Sequence, residues 1–346
     1  MKAGFEVTLI GRRLHASPPM PKRSYRYERM RLMFTKGPLF YSEFNIRLFL
    51  RLLFSRSHLL VANDLDTLLP NFLISRLRRI PMVYDSHEYF TETPELTSRP
   101  RVQKIWKRIE GFVLPKLNWM ITVNDSIAKL FEKEYDIRVH VVRNIPFRMN
   151  GSVKSSRVEL QLPPNRRLLV LQGSGINIHR GAEELVEAMT YLPEVTLLVI
   201  GGGDVLPVLK QTVKEKALDD RVVFLPRMPY EQMMAYTQQA ELGFTLDKDT
   251  NMNYRYSLPN KLFDYIQAGV PVMATPLPEI KKIIDTYNIG TCTYADHAET
   301  LAADIRNVLQ SPDLVKVWKK NLTFAARELC WENEENALLK LYEQYN

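Results

Sequence analysis

Short apolar runs alternate with stretches of helical periodicity along nearly the whole chain, and this alternation limits the fold more than any other feature. In the first half the runs are FEVTLIG (5–11), HLLVAND (58–64), MVYDSHE (82–88), WMITVND (119–125) and VHVVRN (139–144). Helical patterns over 42–55, 66–78, 101–117 and 125–134 fit between them. The alternation restarts with RLLVLQG (167–173), VTLLVIGGG (195–203), RVVFLP (221–226), LGFTL (242–246) and VPVMAT (270–275). Apolar strands separated by helices are buried on both faces, which predicts an α/β chain with two Rossmann-like, doubly wound parallel sheets. Between the halves, IPFRMNGSVKSSRVELQLPPNR (145–166) lacks periodicity and is rich in Pro, Ser and Arg, so it reads as the linker. The expected organisation is a first domain over 1–150, a linker over 151–166, a second domain over 167–325 and a C-terminal helix over 326–346.

The first residues break the pattern. MKAGFEVTLIG reads as the last turn of a helix ended by Gly4, followed at once by a strand. A Rossmann-like half opens with a strand and then a helix, so the first domain is expected to lack its first strand–helix unit. Met1 is accordingly expected to be internal to a longer reading frame, or the chain to be truncated.

Two cysteines, Cys292 and Cys330, cannot build a disulfide framework or a Cys-rich metal site, which suits a reducing cytosol. No signal peptide or bilayer-spanning apolar run is evident. Residues 1–150 hold 26 Lys and Arg against 14 Asp and Glu, a net charge of +12, while the whole chain carries +8 and the remainder therefore −4. A basic half suggests nucleic acid, anionic lipid or a phosphorylated ligand. No nucleic-acid module organises these charges, so nucleic acid is not expected as a partner. Basic PMPKRSYRYERMR (19–31) is the preferred segment for lipid headgroups or a pyrophosphate-linked acceptor. The basic amphipathic pattern over 40–60 could lie on a bilayer, but packing on its own sheet is the commoner explanation.

Chemistry is expected where strands end. In YRYSLPNKLFDYIQAGVPVMAT, Pro259 suits the first turn of a helix that stops at Ala268-Gly269. The free N–H groups and dipole of that helix end, with Lys261, make an anion site. Asp264, one turn on, would repel bare phosphate but can accept hydrogen bonds from sugar hydroxyls. On spacing alone, an ordinary first turn with solvated Lys and Asp accounts for the pattern equally well. In LQGSGINIHRG, Gly173 and Gly175 allow close backbone approach and Arg180 could clamp a diphosphate, although the full G-x-G-x-x-G fingerprint is missing. Gly202 in VIGGGD and Arg227 after RVVFLP add two further strand ends. His87 in YDSHEY, near Asp85 and Glu88, could carry a proton or donate to a sugar, or be a loop histidine. No metal-ligand spacing and no nucleophile elbow is present.

Taken together, SLPNKLFDYIQAGVPVMAT, VYDSHE, ITVND, VVRN, the QGSG…RG loop, LLVIGGG and the terminal WENEE helix resemble the retaining glycosyltransferases of family 4, which have the GT-B architecture. The resemblance spans nearly the whole chain. It implies two domains facing a central cleft, a tail helix crossing back to the first domain, and a nucleotide-sugar donor, UDP- or GDP-linked, bound by the second domain without metal or cofactor. SLPNKLFDY looks like the family's "PxKLxEY" segment. The resemblance therefore implies a donor site of Gly173, Ser174, Gly175, Arg180, Gly202, Arg227, Tyr256, Ser257, Leu258, Asn260, Lys261 and Asp264, with His87 and Asp264 as catalytic residues. Three positions depart from the family pattern. Asp264 stands where the second Glu of a Glu–seven residues–Glu motif would hold the ribose, Tyr256 stands for the first Glu, and Ser174 stands for a clamp Arg.

The expected function is a cytoplasmic, membrane-peripheral transferase acting on a glycan or lipid-linked acceptor of surface polysaccharide. Its basic first domain would face an anionic membrane. A non-catalytic nucleotide-sugar-binding scaffold and a nucleotide-sugar 2-epimerase are the alternatives.

Overall fold

The computed structural model describes all residues except 1–3, 16, 18, 21, 150, 152–154 and 346. The helix turn expected ahead of Gly4, and Met1 with it, lie outside the described residues. Contacts divide the chain into two units. Unit 1 holds residues 1–123, 127–142 and 337–346, and unit 2 holds 124–126 and 143–336.

Unit 1 runs β1 (Thr8–Arg13), β2 (Arg26–Arg31), α1 (Gly37–Leu53), β3 (Leu60–Asn63), α2 (Leu65–Arg78), β4 (Met82–Ser86), α3 (Pro94–Thr97), α4 (Pro100–Val113), β5 (Trp119–Thr122), α5 (Asp125–Tyr135) and β6 (Arg138–Val141). Strands β3-β4-β5-β6 form one parallel sheet in sequence order, and β1-β2 form a separate parallel pair. The first strand begins three residues later than its apolar run suggests. β2 lies inside the segment read as an exposed basic stretch, because RYERMR has no apolar alternation to betray it. β4 and β5 are buried along almost their whole length, as strands covered on both faces must be. Helix α1 buries Phe40, Phe44, Leu48 and Leu52, one residue per turn on a single face, so it does pack inward as the periodicity predicts. At the chain end, Tyr342 and Tyr345 pack against Trp119 with ring centroids 6.4 and 6.3 Å away.

Unit 2 runs β7 (Arg167–Gly173), α6 (Ala182–Ala188), β8 (Val195–Gly201), α7 (Leu206–Glu215), β9 (Val222–Leu225), α8 (Tyr230–Thr237), β10 (Leu242–Thr245), α9 (Met252–Arg255), α10 (Asn260–Ala268), β11 (Val272–Ala274), α11 (Pro278–Tyr287), β12 (Gly290–Cys292), α12 (Ala298–Leu309), α13 (Pro312–Glu328) and α14 (Trp331–Tyr342), the last ending in unit 1. Its six parallel strands are ordered β12-β11-β10-β7-β8-β9. The chain therefore starts in the middle, winds outward through β8 and β9, and returns to the other side of β7 at β10. A crevice opens at such a reversal, between the carboxyl ends of β7 and β10. Apolar layers cover both sheet faces: Leu169, Leu171, Leu197 and Phe244 pack on one side, and Leu168, Val170, Phe263 and Ile266 on the other. Ile145 and Leu162, inside the segment read as linker, are buried in that second layer.

Candidate functional site

The carboxyl ends of β7, β8, β9 and β10 bring most of the candidate residues of unit 2 together. Two loops cross first. The backbone after β7 passes so close to the glycines after β8 that a Cβ on Gly201 would sit 1.9 Å from the Gly173 carbonyl oxygen, and one on Gly203 would sit 1.9 Å from that of Ile176. Side chains are excluded there by the backbone itself, which accounts for the glycine run without invoking a ligand. Gly202 leaves room for Arg227, whose guanidinium lies over it and donates to the Ser174 carbonyl. Ser174 thus contributes a backbone acceptor, not a cation.

The second crossing joins the loop after β7 to the loop after β10. His179 and Gly181 both take positive φ, 65° and 70°. The His179 carbonyl accepts from the Lys248 N–H at 2.8 Å, and a Cβ on Gly181 would come within 2.4 Å of the Leu246 Cβ. This contact sets Arg180 against Asp247. Arg180 Nη1 lies 3.2 Å from Asp247 Oδ1, and Lys261 Nζ lies 3.5 Å from Oδ2 of the same carboxylate. The Thr245 hydroxyl donates to Oδ2 at 3.1 Å, and the Arg180 guanidinium stands 4.9 Å from the centre of the Tyr254 ring. Asp247 is 1% exposed. Burial pushes the Lys261 ammonium below its ordinary range; Asp247 opposes that shift and Arg180 adds to it.

Lys261 and Asp264 both stand in the first turns of α10, which begins after Pro259 and ends at Gly269 in the left-handed conformation, as the sequence predicts. Lys261 is not the open charge that spacing alone suggests, because Asp247 comes from another loop to meet it. Asp264 is buried. It accepts from the Tyr230 hydroxyl at 3.0 Å and from Gln172 Nε2 at 3.1 Å. The Thr237 hydroxyl fixes Gln172 in turn, donating to its Oε1 at 2.6 Å. Burial raises the Asp264 carboxyl to about 6, against the two hydrogen bonds that lower it. Each carboxylate oxygen keeps a further lone pair for a ligand hydroxyl.

The remaining candidates sit around this core. Asn260 is the exposed first residue of α10, Leu258 packs partly buried against the second apolar layer, the Ser257 hydroxyl donates to the Tyr254 carbonyl at 2.9 Å, and Tyr256 is the residue that closes α9. Gly173 and Gly175 flank Ser174 at the end of β7. Asp247, Tyr230 and Gln172 were not singled out by the sequence. Asp247 alone carried a usable signal, an acidic residue just beyond an apolar strand.

His87 belongs to unit 1, just beyond β4. Its N–H donates to Asp64 Oδ1 at 2.9 Å, its Nδ1 lies 3.4 Å from Asp64 Oδ2, and its Nε2 lies 3.9 Å from Asp85 Oδ1. The Asp64 bond raises the imidazole above its ordinary range; burial opposes this, while Asp85 and Glu88 reinforce it. Asp64 itself has φ 59°, a conformation non-glycine residues rarely hold, at the head of α2. Among the described residues no cluster of three or more His, Cys, Asp or Glu could hold a metal ion. Nor is any helix there long and apolar enough to cross a membrane. A cavity of about 330 Å³ beside Arg76, Arg79 and Lys116 opens at the opposite, amino-terminal edge of the unit 1 sheet, away from the strand carboxyl ends.

Comparison with known proteins agrees with this layout. Residues 1–145 match the model "Glycosyltransferase Family 4", and residues 155–323 match "Glycosyl transferases group 1". No curated protein matches the sequence. Among solved structures, sucrose-phosphate synthase from Thermosynechococcus elongatus superposes with a TM-score of 0.77 at 19% identity, covering 99% of this chain and 90% of that one. HepE from Anabaena, in complex with UDP and glucose, gives 0.71 at 18% identity, covering 92% and 86%. A UDP-forming trehalose-phosphate synthase from Burkholderia xenovorans gives 0.66 at 13%, covering 87% and 77%. These likenesses establish the GT-B fold, and the two family models, which between them span nearly all of the sequence, place the chain among the group 1 glycosyltransferases of family 4.

Proposed function

We propose that this chain is a retaining transferase that moves a sugar from a UDP- or GDP-linked donor to a glycan or lipid-linked acceptor of surface polysaccharide. The observation that carries the reading is the pair Arg180 and Lys261, held on either side of Asp247 at the β7–β10 crevice, with Asp264 three residues beyond Lys261 on α10. Two cations and one carboxylate leave one net positive charge, which the amino-terminal end of α10 augments. A nucleoside diphosphate fits that balance, with Asp264 accepting from the ribose hydroxyls. Donor binding by HepE, crystallised with UDP-glucose, supports the same class of ligand here.

In this reading the bond between the sugar's anomeric carbon and the diphosphate oxygen breaks while the acceptor oxygen bonds to that carbon from the same face. Arg180, Lys261 and the α10 end meet the charge that develops on the diphosphate, and being already oriented they need no rearrangement to do so. The acceptor proton passes to the departing phosphate oxygen. His87, with Nδ1 turned to Asp64, would use Nε2 to exchange a hydrogen bond or a proton with a hydroxyl of the substrates. No residue requires a bound metal for these roles. The basic first 150 residues would bring the enzyme to an anionic membrane surface on the cytoplasmic side.

A scaffold that binds nucleotide sugar without turnover is the second reading. Tyr256 and Ser174 favour it, since each replaces a charged residue of the family pattern. Calorimetric titration with UDP, GDP and their sugars, followed by transfer and hydrolysis assays, separates the two. Arg180→Ala and Lys261→Ala should each weaken nucleoside diphosphate binding by about tenfold, the worth of one charge-assisted hydrogen bond. Unchanged affinity in both variants would sink the assigned site. Binding with no turnover would favour the scaffold.

A further inference from the structure

Helix α1 has two apolar faces. One is buried through Phe40, Phe44, Leu48 and Leu52. On the opposite side Leu39, Ile46 and Leu50 are 58%, 61% and 49% exposed, and Phe54, at the helix end, is 80% exposed. At 100° per residue these four fall within one stripe along the helix. A second element extends it. Glu43 accepts from the backbone N–H groups of Met33 and Phe34 at 2.8 and 3.0 Å, which pins that turn beside the helix and leaves Met33 76% exposed. Contiguous exposed apolar surface of this kind marks a contact surface, not chance.

The rim of the stripe says what it contacts. Residues 22–56 contain nine Lys and Arg and two carboxylates, Glu28 and Glu43. Both carboxylates are engaged, Glu28 with Arg51 at 2.6 Å and Glu43 with Arg47 at 2.8 Å, so the segment presents a net charge of +7. Lys36 and Arg56, at the two ends of α1, are exposed, as are Arg26 and Arg31 on β2.

We infer that the outer face of α1, with the Met33–Phe34 turn, docks on the surface of an anionic bilayer. Leu39, Ile46, Leu50 and Phe54 enter the boundary between headgroups and acyl chains. The surrounding arginines and lysines stay at the level of the lipid phosphates, with their apolar stems reaching outward. A 17-residue helix is about 25 Å long and lies along the membrane plane. This names the face behind the membrane attachment proposed above and depends on that part of the reading alone, not on the donor chemistry.

The test is co-sedimentation of the full chain with vesicles of phosphatidylcholine alone or with about one-third phosphatidylglycerol. Binding to the anionic vesicles should exceed binding to the neutral ones by about tenfold or more and weaken as salt screens the rim. Ile46→Glu with Leu50→Glu should reduce it to the neutral level. So should a second variant, Lys36→Glu with Arg56→Glu, which alters only exposed positions at the helix ends. Phe324→Glu, on the exposed side of α13, should bind like wild type. Absence of binding to anionic vesicles, or wild-type binding by both double variants, overturns the inference. So does a concentration-dependent dimer in sedimentation velocity that Ile46→Glu with Leu50→Glu abolishes, which would give the face to a second copy. Nucleoside diphosphate titration of the same variants should be unchanged, so a failure here is distinct from a failure of the donor site.

Discussion

Asp247 sits almost sealed from water between two cations that would otherwise repel each other. Thr245 holds one of its oxygens, and the tight contact of Gly181 with Leu246 brings Arg180 within reach of the other. In a partly desolvated crevice this carboxylate faces both cations and balances part of their charge. Replacing it removes an ion-pair partner, and losing one partner of a buried pair costs about 3 kcal/mol because buried charge loses its compensation. Asp247→Asn is therefore expected to melt several degrees below wild type without ligand. A bound diphosphate supplies the missing negative charge, so a saturating nucleoside diphosphate should raise the variant's melting temperature further than wild type's. Scanning fluorimetry with and without UDP and GDP makes the comparison. Equal ligand shifts in the two proteins would mean that Asp247 does not balance a phosphate-binding pair.

Among the elements, α10 does two jobs. Its first two turns carry Lys261 and the buried Asp264, and beside them stands Tyr265, whose hydroxyl lies between β7 and β10. That hydroxyl accepts from the Gln172 N–H at 3.2 Å and stands 3.1 Å from the Phe244 carbonyl and 3.3 Å from that of Val170. The two strands pair directly only at Leu169–Leu242 and Val170–Gly243. Beyond that point a side chain substitutes for the ladder, and the strands diverge into the crevice. Tyr265→Phe strands a buried N–H and removes the one O–H that two carbonyls share, and should cost about 1–3 kcal/mol. It should also loosen Gln172 and with it Asp264, so nucleotide affinity should drop together with the melting temperature. A variant that keeps both would show that the hydroxyl does not bridge the strands. The boundaries of α10 were legible because Pro259 and Gly269 are local signals, and ten of the twelve strands were legible because each overlaps a short apolar run, although β1, expected to be buried, is mostly exposed. β2 was missed because four of its six side chains are charged and its two apolar ones, Tyr27 and Met30, do not alternate with them, and β12 because three residues carry no pattern. The partners of the site were hidden for another reason. Gln172 and Asp264 are 92 residues apart, and Lys261 meets Asp247 from a different loop, so only the sheet order brings them together. Sequence could therefore name Lys261 as a cation but not say that a carboxylate already holds it.

Across the whole molecule, three carboxyls, Asp66 and Glu110 in unit 1 and Asp264 in unit 2, hold their protons more tightly than usual. In unit 1, burial and neighbouring Asp64 raise Asp66 to about 6, against the pull of Arg12. Glu110, fully buried, is raised to about 7 by burial, although the Tyr135 hydroxyl donates to it at 2.8 Å. In unit 2, Asp264 is raised to about 6. Unfolded, these groups titrate near 3.8 to 4.5. Between those values and 6 to 7 the folded chain binds more protons than the unfolded one. Their contribution to stability is thus complete below the unfolded values and is lost as pH rises through the folded ones. His87, also raised, acts in the same sense, because its protonated form is the one Asp64 stabilises. His140, lowered by burial, opposes the trend. Carboxyls held low by partners, such as Glu28 beside Arg51, change the balance only in more acid solution, below their ordinary value. The full chain should therefore melt several degrees higher at about pH 5.5 than at about pH 8. The triple variant Asp66→Asn, Glu110→Gln, Asp264→Asn carries no such charges to bury, so its melting temperature should vary less over that range and approach or exceed wild type at the alkaline end. Calorimetry across the range decides it. A wild-type melting temperature that climbs toward pH 8, or a triple variant that follows wild type at every pH, would mean that these carboxyls are ionised in the fold at ordinary cost, and the low-dielectric setting assigned to Asp264 beside the crevice would fall with them.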